Sequence, residues 1–279
     1  MRVSIEDVKK MKEIGEKIPM ITAYDYTSAR IVDESGIPII LVGDSLGQVV
    51  LGYDSTIPVT LDEMIHHTRA VTKGTTNALV VGDMPFMSYQ ASTTETMHNA
   101  ARFLQEGGAQ TIKLEGGVSV APTVERLVSA GIPVMGHIGL TPQSVHQLGG
   151  YKVQGKTLKA AVRLMEDARS LEESGAFAIV LECVPRSLAL LITERVSIPT
   201  IGIGAGEGCD GQVQVFHDML GLYTEFTPKH TKRFASLANT ISVALAKYSQ
   251  EVKEQTFPSQ EHSYQLKQEV LAELQSQVI

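Results

Sequence analysis

Eight short apolar runs alternate with amphipathic stretches along this chain of 279 residues, and this alternation constrains its fold more than any other feature. The runs predict strands at 20–24, 38–43, 78–83, 110–115, 133–137, 177–182, 199–203 and 212–216. The stretches between them have a helical period, and they predict helices at 27–35, 60–72, 93–106, 119–130, 157–174 and 186–195. Strands that alternate with helices form parallel sheets, and eight such units favour a closed (β/α)8 barrel, the TIM barrel of the α/β class.

The ends of the predicted barrel and one of its connections differ from this regular pattern. Residues 4–15 predict a helix ahead of the first strand, which would close the bottom of the barrel. The glycine-rich stretch 204–211 between the last two strands predicts a loop rather than a helix. A long helix at 231–255 would complete a single catalytic domain over residues 1–255.

Residues 256–279 form a polar segment that we assign to a helical tail outside the barrel. Leu266, Val270 and Leu274 form an apolar stripe within it, which predicts a helix over 261–278. Such a stripe favours a helix docked on a neighbouring subunit over a loosely held tail.

The charge and the cysteine content exclude several classes of protein. The formal net charge is −7, so no basic surface is expected to neutralise the phosphates of a nucleic acid. No apolar run has the length of a membrane span, and the first residues lack the apolar core of a signal peptide. The two cysteines, Cys183 and Cys209, form no CxxC pair, which indicates a reducing compartment. We therefore expect a cytoplasmic protein.

Four carboxylates each end one of the apolar runs: Asp44, Asp83, Glu115 and Glu182. The active sites of parallel α/β barrels lie at the carboxyl ends of the strands, so these acids are expected to meet there. Ionised carboxylates buried together are costly unless they are paired or bind a cation. Oxygen ligands favour a hard cation such as Mg²⁺. The alternative for a single aspartate is that it only caps the next helix.

Alternation along the strands predicts where these side chains point. Asp44 should share a face with Val42, and Lys113 should share the inward face with Glu115, beside the other acids. Cys183 follows Glu182 directly and should therefore turn away from the lumen into the core.

One histidine and two loops complete the candidate site. His137 ends the fifth strand, and substrate contact and a supporting structural role are equally consistent with its position. The polar segment 137–151 is long enough to form a lid or a pocket wall. The loop 204–211 lacks the GxGxxG pattern of a nucleotide site, and we interpret it as a second rim loop that closes over the site.

Several motifs follow one another in a single order: VGDSLG at 42–47, GDMPF at 82–86, KLEGG at 113–117, GHIGLTPQ at 136–143, IGAG at 203–206 and CDGQ at 209–212. In this combination the chain closely resembles the ketopantoate hydroxymethyltransferase family. The resemblance runs from the first helix to about residue 250. It implies a barrel enzyme of pantothenate biosynthesis. Such an enzyme transfers a hydroxymethyl group from 5,10-methylenetetrahydrofolate to 3-methyl-2-oxobutanoate, giving 2-dehydropantoate and tetrahydrofolate.

The resemblance also implies roles for individual residues. Mg²⁺ would be bound by Asp44, Asp83 and Glu115, and the oxo acid by Asp44, Ser45, Asp83 and Lys113. Glu182 would be the proton acceptor that gives a metal-stabilised enolate, and the enzyme would be a homodecamer. These roles agree with the chemistry of the residues, because a lysine suits a substrate carboxylate and an acid outside the metal shell suits a general base.

Two other functions remain open at the level of sequence. The first is a Mg²⁺-dependent barrel enzyme related to phosphoenolpyruvate mutase or isocitrate lyase, although the Lys-Lys-Cys-Gly-His motif typical of the lyases is absent. The second is a non-catalytic barrel that binds an oxo acid. A free base such as Glu182 argues against that second function, because binding alone does not require one.

Overall fold

A closed barrel of eight parallel strands in sequential order forms the centre of the computed structural model, which describes residues 2–277. The strands are β1 (Ile18–Thr22), β2 (Ile39–Val42), β3 (Leu79–Asp83), β4 (Thr111–Glu115), β5 (Val134–Gly139), β6 (Ala178–Glu182), β7 (Thr200–Ile203) and β8 (Gly211–Gln214). Pairing of β1 with β8, with Ile18 opposite Gly211, closes the barrel. The predicted (β/α)8 barrel is confirmed.

The helices within residues 2–277 surround this barrel. They are α1 (Ile5–Glu13), α2 (Tyr26–Glu34), α3 (Leu46–Val49), α4 (Leu61–Gly74), α5 (Thr93–Gln105), α6 (Ala121–Ser129), α7 (Val145–Leu148), α8 (Leu158–Glu173), α9 (Arg186–Arg195), α10 (Phe216–Met219), α11 (Leu237–Lys253) and α12 (Gln268–Gln277). Short 3-10 turns occur at Pro142–Ser144 and Gln260–His262. The six helices predicted between strands are all present, with ends within two residues of the prediction.

Local sequence signals explain several of the helix boundaries. The Thr60 hydroxyl accepts a hydrogen bond from Glu63 N, and the Glu63 side chain accepts one from Thr60 N, which makes a capping box at the start of α4. The helix predicted from residue 231 begins only at Leu237. Before it the chain is held against α10, where Phe234 N donates to Met219 O at 2.7 Å.

The apolar side chains form two layers, which follow from strand alternation. One set fills the barrel lumen and includes Met20, Leu41 and Val180. The residues between them, such as Ile40 and Leu181, pack outward against the helices. Residues at alternate positions of one strand therefore belong to different cores.

Strands β3 and β5 each have a glycine on the outward face, directly before a residue whose side chain lies at the upper end of the barrel. A Cβ at Gly136 would lie 2.6 Å from Leu171 Cδ1 of α8, and one at Gly82 would overlap the Phe103 ring of α5. Both helices therefore approach the barrel more closely than a side chain at these positions would allow.

The lower end of the barrel, where the strands begin, is closed by α1 as predicted. Val8 of α1 is fully buried and belongs to the luminal core. Lys12 Nζ donates to the carbonyl oxygens of Thr193, Val196 and Ile198 at 2.9 to 3.0 Å and pairs with Asp210 Oδ2 at 3.0 Å. The helix is thus connected to the segments that enter β7 and β8.

Another polar network at this end is centred on Asp33 of α2. Its carboxylate accepts hydrogen bonds from the backbone N–H groups of Thr76, Asn77 and Ala78 at 2.7 to 3.0 Å. Burial alone would raise the pKa of Asp33, but these N–H donors outweigh burial and lower it below its ordinary value. Arg2 donates in the same region to Thr75 O and Ala78 O.

The connection 204–210 contains no helix, as predicted, but its predicted place at the rim is wrong. Because β7 and β8 are parallel, the loop must return from the upper to the lower end of the barrel. It descends along α9, where Gly206 lies against Arg186 and Gly208 against Leu190. It reaches the bottom at Asp210, which pairs with Lys12.

The C-terminal segment is largely exposed over its described part. The predicted helix over 261–278 is shorter in the structure, where α12 begins at Gln268, and residues 278–279 lie outside the described residues. Leu266, Val270 and Leu274 are 41–53% exposed. Docking of this C-terminal segment on a neighbouring subunit stays a prediction. The domain boundary at residue 255 also stays a prediction. No helix between residues 2 and 277 is both long and apolar enough to cross a bilayer.

Candidate active site

The four strand-end acids line one cavity of about 650 Å³ at the upper end of the barrel. Asp83, Glu115 and Glu182 end β3, β4 and β6, and Asp44 follows β2 after Gly43. Asp44, Asp83 and Glu115 are buried, with at most 5% of their surface exposed, whereas Glu182 is half-buried. The structure therefore brings together the acids that the sequence placed at this end.

Lys113 supplies a positive charge among these acids. It points inward from β4 and is buried, and its Nζ lies 2.7 Å from Asp83 Oδ1. Burial alone would lower the pKa of Lys113, but the charges of Asp83, Glu115 and Asp44 raise it above its ordinary value. The lysine therefore stays protonated at neutral pH.

The neighbouring negative charges disfavour the ionised form of Asp44. Burial, and then the charges of Asp83 and Glu115, raise the pKa of Asp44 well above its usual range. Its backbone N–H donates to Asp83 Oδ2 at 3.2 Å, so the two aspartates are also neighbours in space. The capping alternative does not apply to Asp44, because α3 begins after Ser45 without a side-chain cap.

Gln143 donates hydrogen bonds to two of these acids, and the sequence analysis assigned it no role. Its Nε2 donates to Asp44 Oδ2 and to Met84 O, both at 2.9 Å, and its backbone N–H donates to Glu115 Oε2 at 3.1 Å. Tyr89 OH donates to Gln143 Oε1 at 2.7 Å. The predicted lid segment 137–151 therefore reaches into the site through a buried amide.

His137 lies between two of the acids. Its Nδ1 is 3.4 Å from Glu115 Oε1 and its Nε2 is 3.2 Å from Glu182 Oε2. Among the described residues, neither nitrogen has a partner with hydrogen-bond geometry. Burial and the charge of Lys113 would lower the pKa of His137, but the two carboxylates raise it to about 9.

Ser45 lies beside Asp44 at the cavity wall. Its Oγ is 2.8 Å from Tyr24 OH, so a tyrosine positions the hydroxyl. Burial is the main cause that raises the pKa of Tyr24, which stays protonated.

The donor set fits a hard divalent cation. Asp44, Asp83 and Glu115 supply carboxylate oxygens within one cavity, and Glu115 Oε1 is buried without a hydrogen-bond partner in residues 2–277. Across that same range, no three His, Cys, Asp or Glu side chains already have the arrangement of a metal-binding group. Hydrogen bonds from Lys113 and Gln143 hold Asp83 and Asp44 instead.

Two predictions from strand alternation are wrong. Val42 packs outward against the helices while Asp44 lines the cavity, because β2 ends at Val42 and the chain turns after it. Cys183 also lines the cavity instead of packing in the core, because β6 ends at Glu182 and the φ of +49° at Cys183 departs from strand geometry. Burial raises the pKa of its thiol to about 11, so the thiol is protonated at neutral pH.

The opposite wall of the cavity was also missed by the sequence analysis. It is formed by residues that follow β8, including Asp218, Tyr223, Phe226 and Lys229. The predicted helix from residue 231 left this segment unassigned, and its polar composition contained no motif. Of the two predicted rim loops, 137–151 contributes Leu140, Pro142 and Tyr151 to the cavity wall, whereas 204–211 contributes no residue.

Comparisons with known proteins agree over nearly the whole chain. Residues 2–260 match the model of the family described as ketopantoate hydroxymethyltransferase. The chain is 61% identical over 270 residues to 3-methyl-2-oxobutanoate hydroxymethyltransferase of Carboxydothermus hydrogenoformans, covering 97% of this chain and 98% of the relative. It is 59% identical over 279 residues to the protein of the same name from Dehalococcoides mccartyi strain CBDB1, covering 100% of both.

Solved structures share the barrel at much lower identity. Phosphonopyruvate hydrolase has a TM-score of 0.61 and 10% identity, covering 99% of this chain and 96% of that one. 2,3-Dimethylmalate lyase, a member of the PEP mutase/isocitrate lyase superfamily, has a TM-score of 0.58 and 15% identity over the same shares. Similarity at this level shows the fold alone.

Proposed function

The chain belongs to the ketopantoate hydroxymethyltransferase family, and from this membership we propose that it converts 3-methyl-2-oxobutanoate, 5,10-methylenetetrahydrofolate and water into 2-dehydropantoate and tetrahydrofolate. One observation carries the proposal at the level of the site. A buried lysine, three buried acids and a half-buried fourth acid line a single cavity at the upper end of the barrel. A small oxo acid needs this combination, because it brings a carboxylate, a polarisable ketone and an acidic C–H bond.

The lysine and the hydroxyl at the cavity wall would hold the substrate. Within residues 2–277, Asp83 is the only partner of Lys113 Nζ at hydrogen-bond distance, so the remaining N–H groups of the lysine can donate to the substrate carboxylate. Ser45 can add a second hydrogen bond to it while Tyr24 fixes the position of the hydroxyl. These contacts would orient C3 of the oxo acid.

Asp44, Asp83 and Glu115 would hold Mg²⁺ in the same cavity. When bound, the cation supplies Lewis-acid polarisation of the ketone and offsets the negative charge of the three carboxylates. This role explains why buried acids are tolerated together there.

Glu182 would remove the proton from C3. It is the most exposed of the four acids, and His137 Nε2 lies 3.2 Å from Glu182 Oε2 and can hold the carboxylate in place. The carbon nucleophile created at C3 then forms a bond to the methylene carbon of the folate as one C–N bond to that carbon breaks. Water supplies the hydroxyl oxygen as the second C–N bond breaks and tetrahydrofolate leaves. His137 would therefore act as a positioning residue for the base, and Gln143 as one for Asp44 and Glu115.

We extend the proposal to assembly and location, as a homodecamer in the cytoplasm. Side chains of α11 support assembly, because Ile241, Val243 and Leu245 are 46–62% exposed in the single chain. Apolar side chains on one long helix are typical of a surface that another subunit covers.

Proton NMR of 3-methyl-2-oxobutanoate in D₂O tests the reaction in two steps. Without folate, we expect the C3 proton signal to disappear only when both the enzyme and Mg²⁺ are present. Addition of methylenetetrahydrofolate should then give 2-dehydropantoate. Absence of that product under every metal tested would contradict the proposed function, whatever the exchange result.

A further inference from the structure

The residues proposed to bind the oxo acid and its metal account for only part of the cavity wall. Beyond the acids of β2, β3 and β4, the wall continues over α10 and the segment that follows, with Asp218, Tyr223 and Phe226. The whole space of about 650 Å³ is in the range of cavities that hold a ligand of several rings. This second half of the cavity can therefore hold the larger of the two substrates.

Polar atoms in this half are buried without partners from the protein. Asp218 is 8% exposed, and within residues 2–277 its Oδ1 has no hydrogen-bond partner. The Thr56 hydroxyl, on a 2% exposed side chain, is also without a partner in that range and lines the same cavity. Buried polar groups are normally satisfied, so unpaired groups at a cavity wall are available for hydrogen bonds to a bound ligand.

The charge at Asp218 discriminates between the two substrates. Burial, which the charge of Arg233 only partly offsets, raises the pKa of Asp218 to about 6, so it is mostly ionised at pH 7. An ionised acid repels the anionic oxo acid, which has no N–H group to donate. The pterin ring of a folate carries an amino group and a ring N–H side by side, and a carboxylate accepts from such a pair with both oxygens.

We propose that Asp218 accepts hydrogen bonds from the amino-pyrimidinone edge of the pterin, and that the Thr56 hydroxyl, which lines the same cavity, adds a further hydrogen bond to the ligand. This inference rests on the proposed function, because it assigns the folate site of that reaction. Tyr223 and Phe226 offer aromatic surface to the ring system at the cavity wall, and Phe226 is 66% exposed. Lys229, exposed at the same wall, is complementary to the glutamate carboxylates of the folate.

The test is the isosteric substitution Asp218→Asn, with two probes titrated by calorimetry: tetrahydrofolate and 6-methyltetrahydropterin, which lacks the aminobenzoyl-glutamate tail. We expect the Kd of both probes to rise roughly 10- to 100-fold, because a charge-assisted pair of hydrogen bonds is lost in a desolvated site. The C3 proton exchange of the oxo acid without folate should stay at the wild-type rate. Asp54→Asn is the matched control, since Asp54 is an exposed carboxylate near Tyr223 and should leave both Kd values unchanged.

Three results would overturn the assignment: unchanged Kd values for both probes, a loss confined to tetrahydrofolate, or a fall in C3 exchange together with the Kd change. The second result would move Asp218 to the folate tail, and the third would place it in the oxo-acid half. Thr56→Val gives an independent test if Asp218→Asn does not fold, with a several-fold rise in both Kd values expected and unchanged values overturning the inference. Wild-type enzyme that exchanges the C3 proton but binds no tetrahydrofolate would instead contradict the proposed function.

Discussion

The two ends of this barrel both bury charged side chains, but they treat them in opposite ways. At the lower end, Asp33 accepts from three backbone N–H groups and Lys12 donates to three carbonyl oxygens. At the upper end, Asp44 lies beside other acids, and Glu115 Oε1 has no hydrogen-bond partner within residues 2–277. The pKa of Asp33 is lowered and that of Asp44 is raised, although both are buried aspartates.

This difference assigns stability to the charged groups of the lower end and function to those of the upper end. A buried charge whose hydrogen bonds are complete stabilises the folded state over a range of pH. A buried charge with incomplete bonds costs free energy in the free protein and becomes favourable when a cation or substrate binds. Substitutions at the two ends should therefore change different measurements, and opposite signs are expected for matched aspartates.

Glu182→Gln should give the largest effect, at the upper end. The C3 proton exchange and the overall rate should fall by about 10²- to 10⁴-fold, the usual contribution of a positioned base. Binding of Mg²⁺ and of oxo acid should persist, because the amide keeps the size of the side chain. NMR exchange in D₂O measures the rate, and calorimetry with Mg²⁺ serves as the control. Exchange at the wild-type rate would show that another group is the base.

Asp33→Asn should destabilise the lower end by about 1–3 kcal/mol at pH 7 and leave the exchange rate unchanged. In the wild type, the backbone N–H groups donate to a carboxylate. In the variant, the amide group would place its own N–H donors against some of these backbone donors. Because the pKa of Asp33 is lowered on folding, its contribution is complete above the unfolded value and disappears as the pH falls through the folded value. The gap between wild type and variant should therefore close below about pH 4.

Urea unfolding between pH 3 and pH 7 measures this gap. Glu34→Gln is the matched control, since Glu34 is an exposed neighbour that pairs with Arg30, and it should change stability by less than about 0.5 kcal/mol. A loss of activity without a loss of stability in Asp33→Asn would break the proposed separation of the two ends.

Lys12→Met should cost about 1–2 kcal/mol, because three carbonyl oxygens and Asp210 lose their common partner. Methionine keeps most of the apolar stem, so the loss reflects the ammonium group. Thermal unfolding checks the expectation, with Lys9→Met as the control, since Lys9 pairs only with the exposed Glu6. Equal effects of the two substitutions would refute a special role for the bottom network.

Asp44→Asn should have the smallest effect on stability, and the opposite sign. Without metal, the variant should be more stable by on the order of 1 kcal/mol at a pH above the raised pKa of Asp44, because there the wild type must hold a buried charge among like charges. The amide oxygen can still accept from Gln143 Nε2. Unfolding of the metal-free protein measures the change, with Asp33→Asn as the comparison. A destabilised Asp44→Asn would mean that both ends are built for stability.

The upper end was more accessible to sequence reasoning than the lower end, for a physical reason. Asp83, Glu115 and Glu182 each end an apolar run, so strand geometry alone places them together. Lys12 instead looks like one of several surface lysines of a helix, and its partner Thr193 lies 181 positions away in the chain. A contact between residues so far apart in the chain produces no local pattern in the sequence.

The errors of the sequence analysis fall where regular strand geometry ends. Asp44 and Cys183 lie just past their strands, where a turn replaces the alternation of sides. The loop 204–211 was assigned to the rim because its composition shows that it is irregular but not which direction it runs. Gln143 ends the GHIGLTPQ motif and Asp218 belongs to no motif, but neither residue type indicates a role, because only burial distinguishes these side chains from ordinary surface polar residues.

The two outward-facing glycines make the geometry of the upper end depend on residues that do not contact a substrate. Gly82 and Gly136 precede Asp83 and His137, and the rings and methyl groups of Phe103 and Leu171 set how closely the helices approach these strands. A change of volume at Phe103 or Leu171 would displace the strand and the neighbouring site residue together. Variation in the outer layer can therefore alter catalytic distances while every residue that lines the cavity stays the same.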